Sequence, residues 1–458
     1  MTYAAKKFIF FSVKQRGFEH CFGAPFFIFL FFQEVVQVKT AQDILNRIKD
    51  EGVEFIRLQF TDMFGNLKNV AITSGQLRKV LVDKYRIDST VMFDGARVYD
   101  GELILVPDYD TFTILPWRPQ QEKVAKLMCD VCYPDGKLFE MSSRTILKNI
   151  IEKAEKKGYT FMIRPECEFF LFHLDEDGLP TTLSHEKAGM MDVGPVDFGE
   201  NARREMVLLL ENMGFEIESS HHEEAPAQHE IDFKESDTLH AADSIMNFRF
   251  AVRSIANRFG LYATFMPKPR SDAAGSGMHL NFSVYKNEKN IMDLSEGMKG
   301  ETAAFVNGIL KHSRSLSAYT NPTVNSYKRI LLALDEATAT RPSYIRVREG
   351  LFEPAIELSF PDSSANPYLA LALCISAGLQ GIEEGGGQEL QDRIPIRDVK
   401  DLPLDLREAV SYAEKDPFIN EVLGEQFVKI YSEHKLFEWA AFMREVSEWE
   451  RDNYLYNI

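Results

Sequence analysis

Phe161-Met-Ile-Arg-Pro-Glu166-Cys-Glu168-Phe-Phe-Leu-Phe-His173 decides the fold of this chain. Apolar and polar residues alternate along its first half, the signature of a β-strand. Residues two apart share one face of a strand, so Glu166 and Glu168 project together from an otherwise apolar run. Two carboxylates that close do not both stay ionised in a dry site without a cation between them. Three other segments carry residues of the same kind. They are Glu223 and Glu230 in Ser-His-His-Glu-Glu-Ala-Pro-Ala-Gln-His-Glu-Ile (220–231), His279 in Gly-Ser-Gly-Met-His-Leu-Asn (275–281) and Glu357 in Ala-Ile-Glu-Leu-Ser-Phe-Pro-Asp (355–362). Five carboxylates and one imidazole are too oxygen-rich for structural zinc and suit a paired Mg²⁺ or Mn²⁺ site.

Helices and strands alternate on both sides of this stretch. Ser142 and Ser143 can cap a helix with an apolar stripe of Ile146, Leu147, Ile150, Ile151 and Ala154, which stops at Lys156-Lys157-Gly158. A second helix over 200–213 ends at Gly214 and feeds a strand bearing Glu223 and Glu230. A third, over 241–259, ends at Gly260 and feeds a strand over 261–266. Ligand candidates thus recur on strands or just after them, as in a sheet-lined pocket backed by helices.

Upstream, Ile44, Leu45 and Ile48 have helical spacing and Val53 to Phe60 alternates as a strand. Tyr133-Pro134-Asp135-Gly136 is a turn in which proline presets one φ and glycine takes the positive one. These features predict a small α+β unit over 39–138 and a main domain over 139–458. Residues 1–38 differ in character, holding ten of the 35 phenylalanines. The apolar run 24–32 is well short of the ~20 residues a membrane-spanning helix needs. Lys14, Arg16, Glu19 and His20 interrupt a signal-peptide pattern. Our reading is an upstream extension, or a true start near Val35 to Val38.

A formal net charge of −17 over 458 residues argues against nucleic-acid and anionic-membrane partners. The odd cysteine count, five, gives no disulfide framework and points to a reducing cytoplasm. Cys129 and Cys132 have redox spacing, but an apolar strand-like context favours buried strand residues. Gly385-Gly386-Gly387 has no following lysine and reads as a loop, not a phosphate cradle.

Four stretches carry a family resemblance: Phe55-Ile-Arg-Leu-Gln-Phe-Thr-Asp62, Ala263-Thr-Phe-Met-Pro-Lys-Pro269, Asn321-Pro-Thr-Val-Asn-Ser-Tyr-Lys-Arg329 and Ala365-Asn-Pro-Tyr-Leu-Ala-Leu371. From Thr40 to its C-terminus the chain resembles type I glutamine synthetases. The resemblance implies an α+β fold, with a small N-terminal β-grasp domain before a catalytic domain built on a curved antiparallel sheet flanked by helices. It implies an ATP-dependent ligase that joins ammonia to glutamate through a γ-glutamyl phosphate, with two or more Mg²⁺ or Mn²⁺ ions. It also implies a dodecamer of two hexameric rings, with the aromatic tail from Trp449 packed between rings.

Carried over residue by residue, Glu168, Glu223 and Glu230 would hold the cation nearer the amino acid, and Glu166, His279 and Glu357 the cation on the phosphates. Arg329 would hold the α-carboxylate of glutamate, Arg341 and Arg346 the phosphates, and Ser283 the nucleotide. Gly275 would let substrate approach the backbone. Asp94, reaching in from the next subunit, would bind ammonium and take its proton.

Departures from the family pattern gather at the amino-acid and ammonium end. Ala96 and Arg97 follow Asp94-Gly95 where the family has two serines. Ala274 replaces an asparagine and Ser359 an arginine. The flap after Arg329 is shortened to Ile-Leu-Leu-Ala-Leu-Asp-Glu-Ala-Thr (330–338), where Glu336 or Asp335 would stand in for a catalytic glutamate. Arg97, entering from a neighbouring subunit, would offset the arginine missing at Ser359. The segment that carries a regulatory tyrosine in some relatives is cut down at 390–395, so that regulation is expected to be absent. The same changes keep two alternatives open: a γ-glutamyl ligase using another amine, and a weakly catalytic regulatory homologue.

Overall fold

The computed structural model describes residues 40–119, 121–292, 299–335, 344–348, 353–385 and 402–456, excluding the side chains of 331–335 and 347. The N-terminal extension, Glu336, Arg341 and segment 390–395 lie outside the described residues.

The first helix, α1 (Ala41–Glu51), starts where the Thr40 side chain accepts from Asp43 N and stops at Gly52 in the left-handed region. Its Ile44 and Ile48 are buried as the spacing predicts. There follow β1 (Val53–Thr61), β2 (Leu67–Thr73), α2 (Ser74–Asp83), β3 (Tyr85–Asp88), β4 (Glu102–Pro107), β5 (Thr113–Ile114) and β6 (Lys123–Cys132). They form one mixed sheet in the order β2-β1-β6-β4-β3, with β5 also on β6 and β1 running parallel to β6. Cys129 and Cys132 are free thiols buried in β6.

The chain then runs through α3 (Ser143–Lys156), β7 (Tyr159–His173), α4 (Glu200–Asn212), β8 (Ile217–His222), β9 (Gln228–Phe233), β10 (Ser236–Asp237), α5 (Thr238–Arg258), β11 (Leu261–Thr264), β12 (Met278–Lys286) and β13 (Lys289–Asn290). After these come α6 (Gly300–Thr320), α7 (Val324–Asp335), β14 (Ile345–Arg348), β15 (Ala355–Leu358), α8 (Pro367–Glu383), α9 (Leu406–Lys415), α10 (Pro417–Leu423), α11 (Glu425–Phe442) and α12 (Glu448–Tyr454). The second sheet is antiparallel throughout, in the order β14-β15-β12-β7-β9-β8. Its spine is β7, whose partners change along its length. β12 covers Tyr159 to Cys167, β11 takes over from Phe170 to His173, and β9 covers Glu166 to Phe170 on the other edge. Exchanging partners midway, with a register shift between Ile217 and Ser219 in β8, bends the sheet. The fold is α+β: a small N-terminal β-grasp domain, then a domain built on this curved antiparallel sheet with helices packed against it.

Behind the sheet, α8 is buried over most of its length and packs on α6. The two helices touch backbone to backbone at Gly308 and Gly381, where an added Cβ would fall 2.0 Å from Ala377 O and 2.1 Å from Ala304 O. A buried ion network ties the first sheet to this core. Arg144 on α3 reaches Asp108 at 2.7 Å and Asp130 at 2.5 Å after β4 and on β6, and Asp243 on α5 at 2.8 Å. Tyr368 of α8 donates to Asp243 at 2.6 Å.

Several expectations are corrected. Glu223 and Glu230 do not share a strand, because the backbone turns between β8 and β9. The third helix starts at Thr238, because Asp237 caps it by accepting from His240 N. Ser142 precedes α3 without a side-chain capping bond.

Candidate active site

The sheet register collects the ligand candidates. His279 on β12 lies opposite Glu166, and Glu230 on β9 lies opposite Glu168. Glu357 on β15 lies opposite Asn281, two residues along from His279. Glu223 enters from the hairpin turn, where its N–H donates to Gln228 O at 2.8 Å and its carbonyl lies 2.7 Å from His222 Nδ1.

His279 is the hub of the row. Its Nδ1 lies 3.2 Å from Glu166 and 3.4 Å from Glu357, and its Nε2 lies 3.5 Å from Glu168. His221, which the sequence reading did not single out, bridges Glu223 at 3.0 Å and Glu230 at 3.2 Å. Glu166, Glu230 and His279 can offer ligand atoms within 4.8 Å of one another, as can His221, Glu223 and Glu230. Further partners hold the row in place. Gln228 and the Gly277 N–H donate to Glu168 at 2.8 and 2.9 Å, and Asn281 donates to Glu166 at 3.0 Å. Arg164 lies 3.7 Å from Glu166. Alternation along β7 was the available signal for Arg164, since it shares the face of Glu166 and Glu168.

Electrostatics here is that of crowded acids. Burial, then the charges of Glu168 and Asp232, push Glu230 far above the ordinary carboxylate range. Burial and the neighbouring Glu223 raise Glu168. Burial would raise Glu166 as well, but the hydrogen bond and charge of His279 outweigh it and bring it down to about 2. His279 is raised in turn, its carboxylate partners overcoming the effect of burial. Among the described residues, Glu230 Oε1 and Glu357 Oε1 are buried without a hydrogen-bond partner. Oxygen-rich donors, orphaned carboxylate oxygens and acids raised by burial and by one another's charge all fit hard divalent cations.

A group behind the row, Glu186, Asp197, His222 and His229, is also compact and buried. Arg203 already supplies its cation, bonding Asp197 at 2.8 Å and lying 2.8 Å from His229 Nδ1. Glu186 accepts from Ala227 N and pairs with His222 at 2.9 Å, bracing the hairpin that carries Glu223 and Glu230.

Arg329 on α7 donates to the carbonyls of Phe360 at 3.1 Å and Ser359 at 3.0 Å, and its charge is felt at Glu168. Gly275 makes room for it: an added Cβ would lie 2.4 Å from Pro267 O and 2.9 Å from Arg329 Cγ. Gly275→Ala is therefore expected to lose ~1–3 kcal/mol by overpacking against backbone. Denaturant unfolding would show this, and an unchanged midpoint would mean that the loop simply yields. Ser283, on the face of β12 shared with His279, is buried and donates to Glu235 at 3.3 Å. Arg346 on β14 lies opposite Glu357, with Nη2 at 3.5 Å. Asp94, with φ of 50°, and Arg97 are exposed on the loop before β4. Among the described residues no hydrogen bond or ion pair joins either to the carboxylate row; Arg97 lies 3.7 Å from Asp100.

Residues 52–134 match the glutamine synthetase β-grasp domain, and residues 140–454 match the glutamine synthetase catalytic domain. The chain is 45% identical to a glutamine synthetase of Clostridium saccharobutylicum over 442 residues, covering 91% of this chain and 98% of that one. It is 42% identical to one of Thermus thermophilus over 451 residues, covering 91% and 99%. Among solved structures, apo GmaS superposes with a TM-score of 0.80 at 29% identity, covering 91% of this chain and 100% of that one. A Plasmodium falciparum glutamine synthetase gives 0.79 at 22% over 92% and 99%, which speaks for the fold alone. With both domain profiles and near-full-length relatives matched, the chain belongs to the glutamine synthetase family.

Proposed function

We infer that the chain is an ATP-dependent glutamate–ammonia ligase, forming glutamine through a γ-glutamyl phosphate. The observation that carries this reading is the convergence of Glu166, Glu168, Glu230 and Glu357 around His279, with Glu223 joined to Glu230 through His221, beside Arg329, in a chain of this family. A γ-carboxylate oxygen of glutamate attacks the γ-phosphorus of ATP and ADP leaves. Ammonia then attacks the acyl carbon, phosphate leaves and a proton is lost.

In this reading Glu168, Glu223 and Glu230 hold one Mg²⁺ or Mn²⁺, and Glu166, His279 and Glu357 a second. When bound, the ions neutralise phosphoryl charge and draw the two substrates into line. Arg329 grips the α-carboxylate with a planar fork, and Gly275 leaves space for it. Arg341 and Arg346 hold the phosphates, while Ser283 faces the nucleotide. Glu336 stands in for the family's catalytic flap glutamate, and Asp94 takes the proton from ammonium. Asp94 and Arg97 act from the neighbouring subunit of a two-ring dodecamer, where Asp94 binds ammonium. The exposed Trp449 and Tyr456 at the C-terminal end suit a contact between rings. The domain division at 138/139 and a cytoplasmic location belong to the same proposal.

Purified protein with Mg²⁺ or Mn²⁺, glutamate and ATP should release phosphate when ammonium is added. Release only with another amine would reassign the acceptor. Silence with every amine despite nucleotide binding would leave a regulatory homologue.

Metal removal gives a separate check. A carboxyl raised on folding contributes stability below its unfolded pKa of about 4.3, and that contribution is lost as pH rises. Glu230 and Glu168 thus make the metal-free protein weaker at higher pH, and fewer protons then oppose a cation. The thermal gain from Mn²⁺ over EDTA is expected to grow from about pH 6 to about pH 8, and at ~100 times the Kd to reach ~2.7 kcal/mol. A gain that shrinks with pH would count against these acids as ligands.

A further inference from the structure

The two arginines of β14 reach the same buried carboxylate by different routes. Arg346 lies directly opposite Glu357. Arg348, opposite Ala355, turns back so that its Nε donates to Glu357 Oε2 while its Nη2 lies 3.7 Å from Glu166 Oε2. Glu357 is fully buried, whereas the Arg348 side chain is 43% exposed, so the guanidinium reaches the carboxylates from the open side of the site.

We propose that Arg348 is a mobile counter-ion of the phosphate side, bridging Glu166 and Glu357 in the metal-free enzyme and turning to the phosphates of the nucleotide once a divalent cation takes those carboxylates. This rests on the reading of Glu166, His279 and Glu357 as ligands of the phosphate-side cation. A guanidinium and a metal ion cannot use the same carboxylate lone pairs. The divalent ion brings twice the charge and repels the arginine it displaces. The released fork has a geometry that matches a phosphate in two places, and a half-exposed side chain can turn without rebuilding the core. Ser359 stands two residues beyond Glu357, where the family resemblance sets an arginine. Arg348 brings its positive group to Glu357 and Glu166 from the adjoining strand of the same chain.

The test uses the full-length protein without nucleotide, titrating Mn²⁺ and following the free ion by electron paramagnetic resonance. If the guanidinium holds the carboxylates about nine-tenths of the time, Arg348→Ala should bind the phosphate-side Mn²⁺ ~tenfold more tightly. In the Mn²⁺-saturated state the same variant should bind a non-hydrolysable ATP analogue more weakly, with AMP binding unchanged. Arg348→Lys, which keeps the charge without the fork, should fall between. Unchanged Mn²⁺ affinity in Arg348→Ala beside normal binding in the unaltered protein would overturn this inference alone, as would undiminished binding of the ATP analogue. No Mn²⁺ binding in the unaltered protein would overturn the ligand assignment and this inference with it.

Discussion

Glu357→Ala is expected to lower ATP-dependent turnover by ~10³ or more, the largest functional effect of any single change in the site. A cation stabilising transition-state charge contributes several kcal/mol, and ~1.4 kcal/mol is a factor of ten in rate. Glu357 is fully buried and has Arg348 bonded to one oxygen, with His279 at 3.4 Å and Arg346 at 3.5 Å from the other. Removing it deletes a ligand and leaves two guanidinium groups and an imidazole facing each other. Breaking a buried ion pair by removing one partner costs ~3–5 kcal/mol. Both arginines are partly exposed and can turn to water, so the lower end of that range applies here. Glu357→Gln separates the two losses, since it keeps the shape of the side chain and a neutral acceptor but not the charge. Its fold should survive better than that of Glu357→Ala, while Mn²⁺ affinity and turnover fall together. Near-normal turnover in either variant would remove Glu357 from the machinery.

Arg144→Ala is expected to cause the largest loss of stability, ~3–5 kcal/mol at neutral pH, because it removes the buried guanidinium that bonds Asp108, Asp130 and Asp243. The Arg144 side chain is 4% exposed, and its partners Asp130 and Asp243 are 14% and 8% exposed. Burial alone would raise Asp243, but Arg144 outweighs it and holds the acid below its ordinary range. The sign follows directly. In the unaltered protein this acid contributes stability above its unfolded pKa of about 3.9, lost as pH falls. Without Arg144 burial is opposed by the Tyr368 hydrogen bond and the charge of Lys126, so the folded pKa moves up and this contribution shrinks. The difference between the two proteins should therefore be small near pH 4 and grow toward neutrality. Urea unfolding at several pH values would measure it. A loss under ~1 kcal/mol at neutral pH would show that water or Lys148, 2.6 Å from Asp130, replaces the arginine.

The site was legible in the sequence to the extent that its residues lie in periodic segments. Glu166 and Glu168 share a face because a strand has a period of two. Arg164 follows the same rule, but an arginine on a strand carries no metal-ligand signal of its own. His221 precedes Glu223 by two, but the backbone turn after His222 hides its pairing with Glu230 on the next strand. Asp94 and Arg97 could be named only by resemblance, since among the described residues no hydrogen bond or ion pair joins them to the carboxylates.

Local chemistry in the sequence therefore determined that β7 is a strand, that α1 and α3 bury their apolar stripes and end near Gly52 and Gly158, and that two acids leave β7 on one side. The antiparallel register, which only the tertiary structure decided, set His279 opposite Glu166, Glu230 opposite Glu168 and Arg346 opposite Glu357. A shift of one residue would turn each of those side chains to the other face. Periodicity is a property of one segment, whereas register is settled between segments far apart in the chain, by the burial and hydrogen bonding of all of them together.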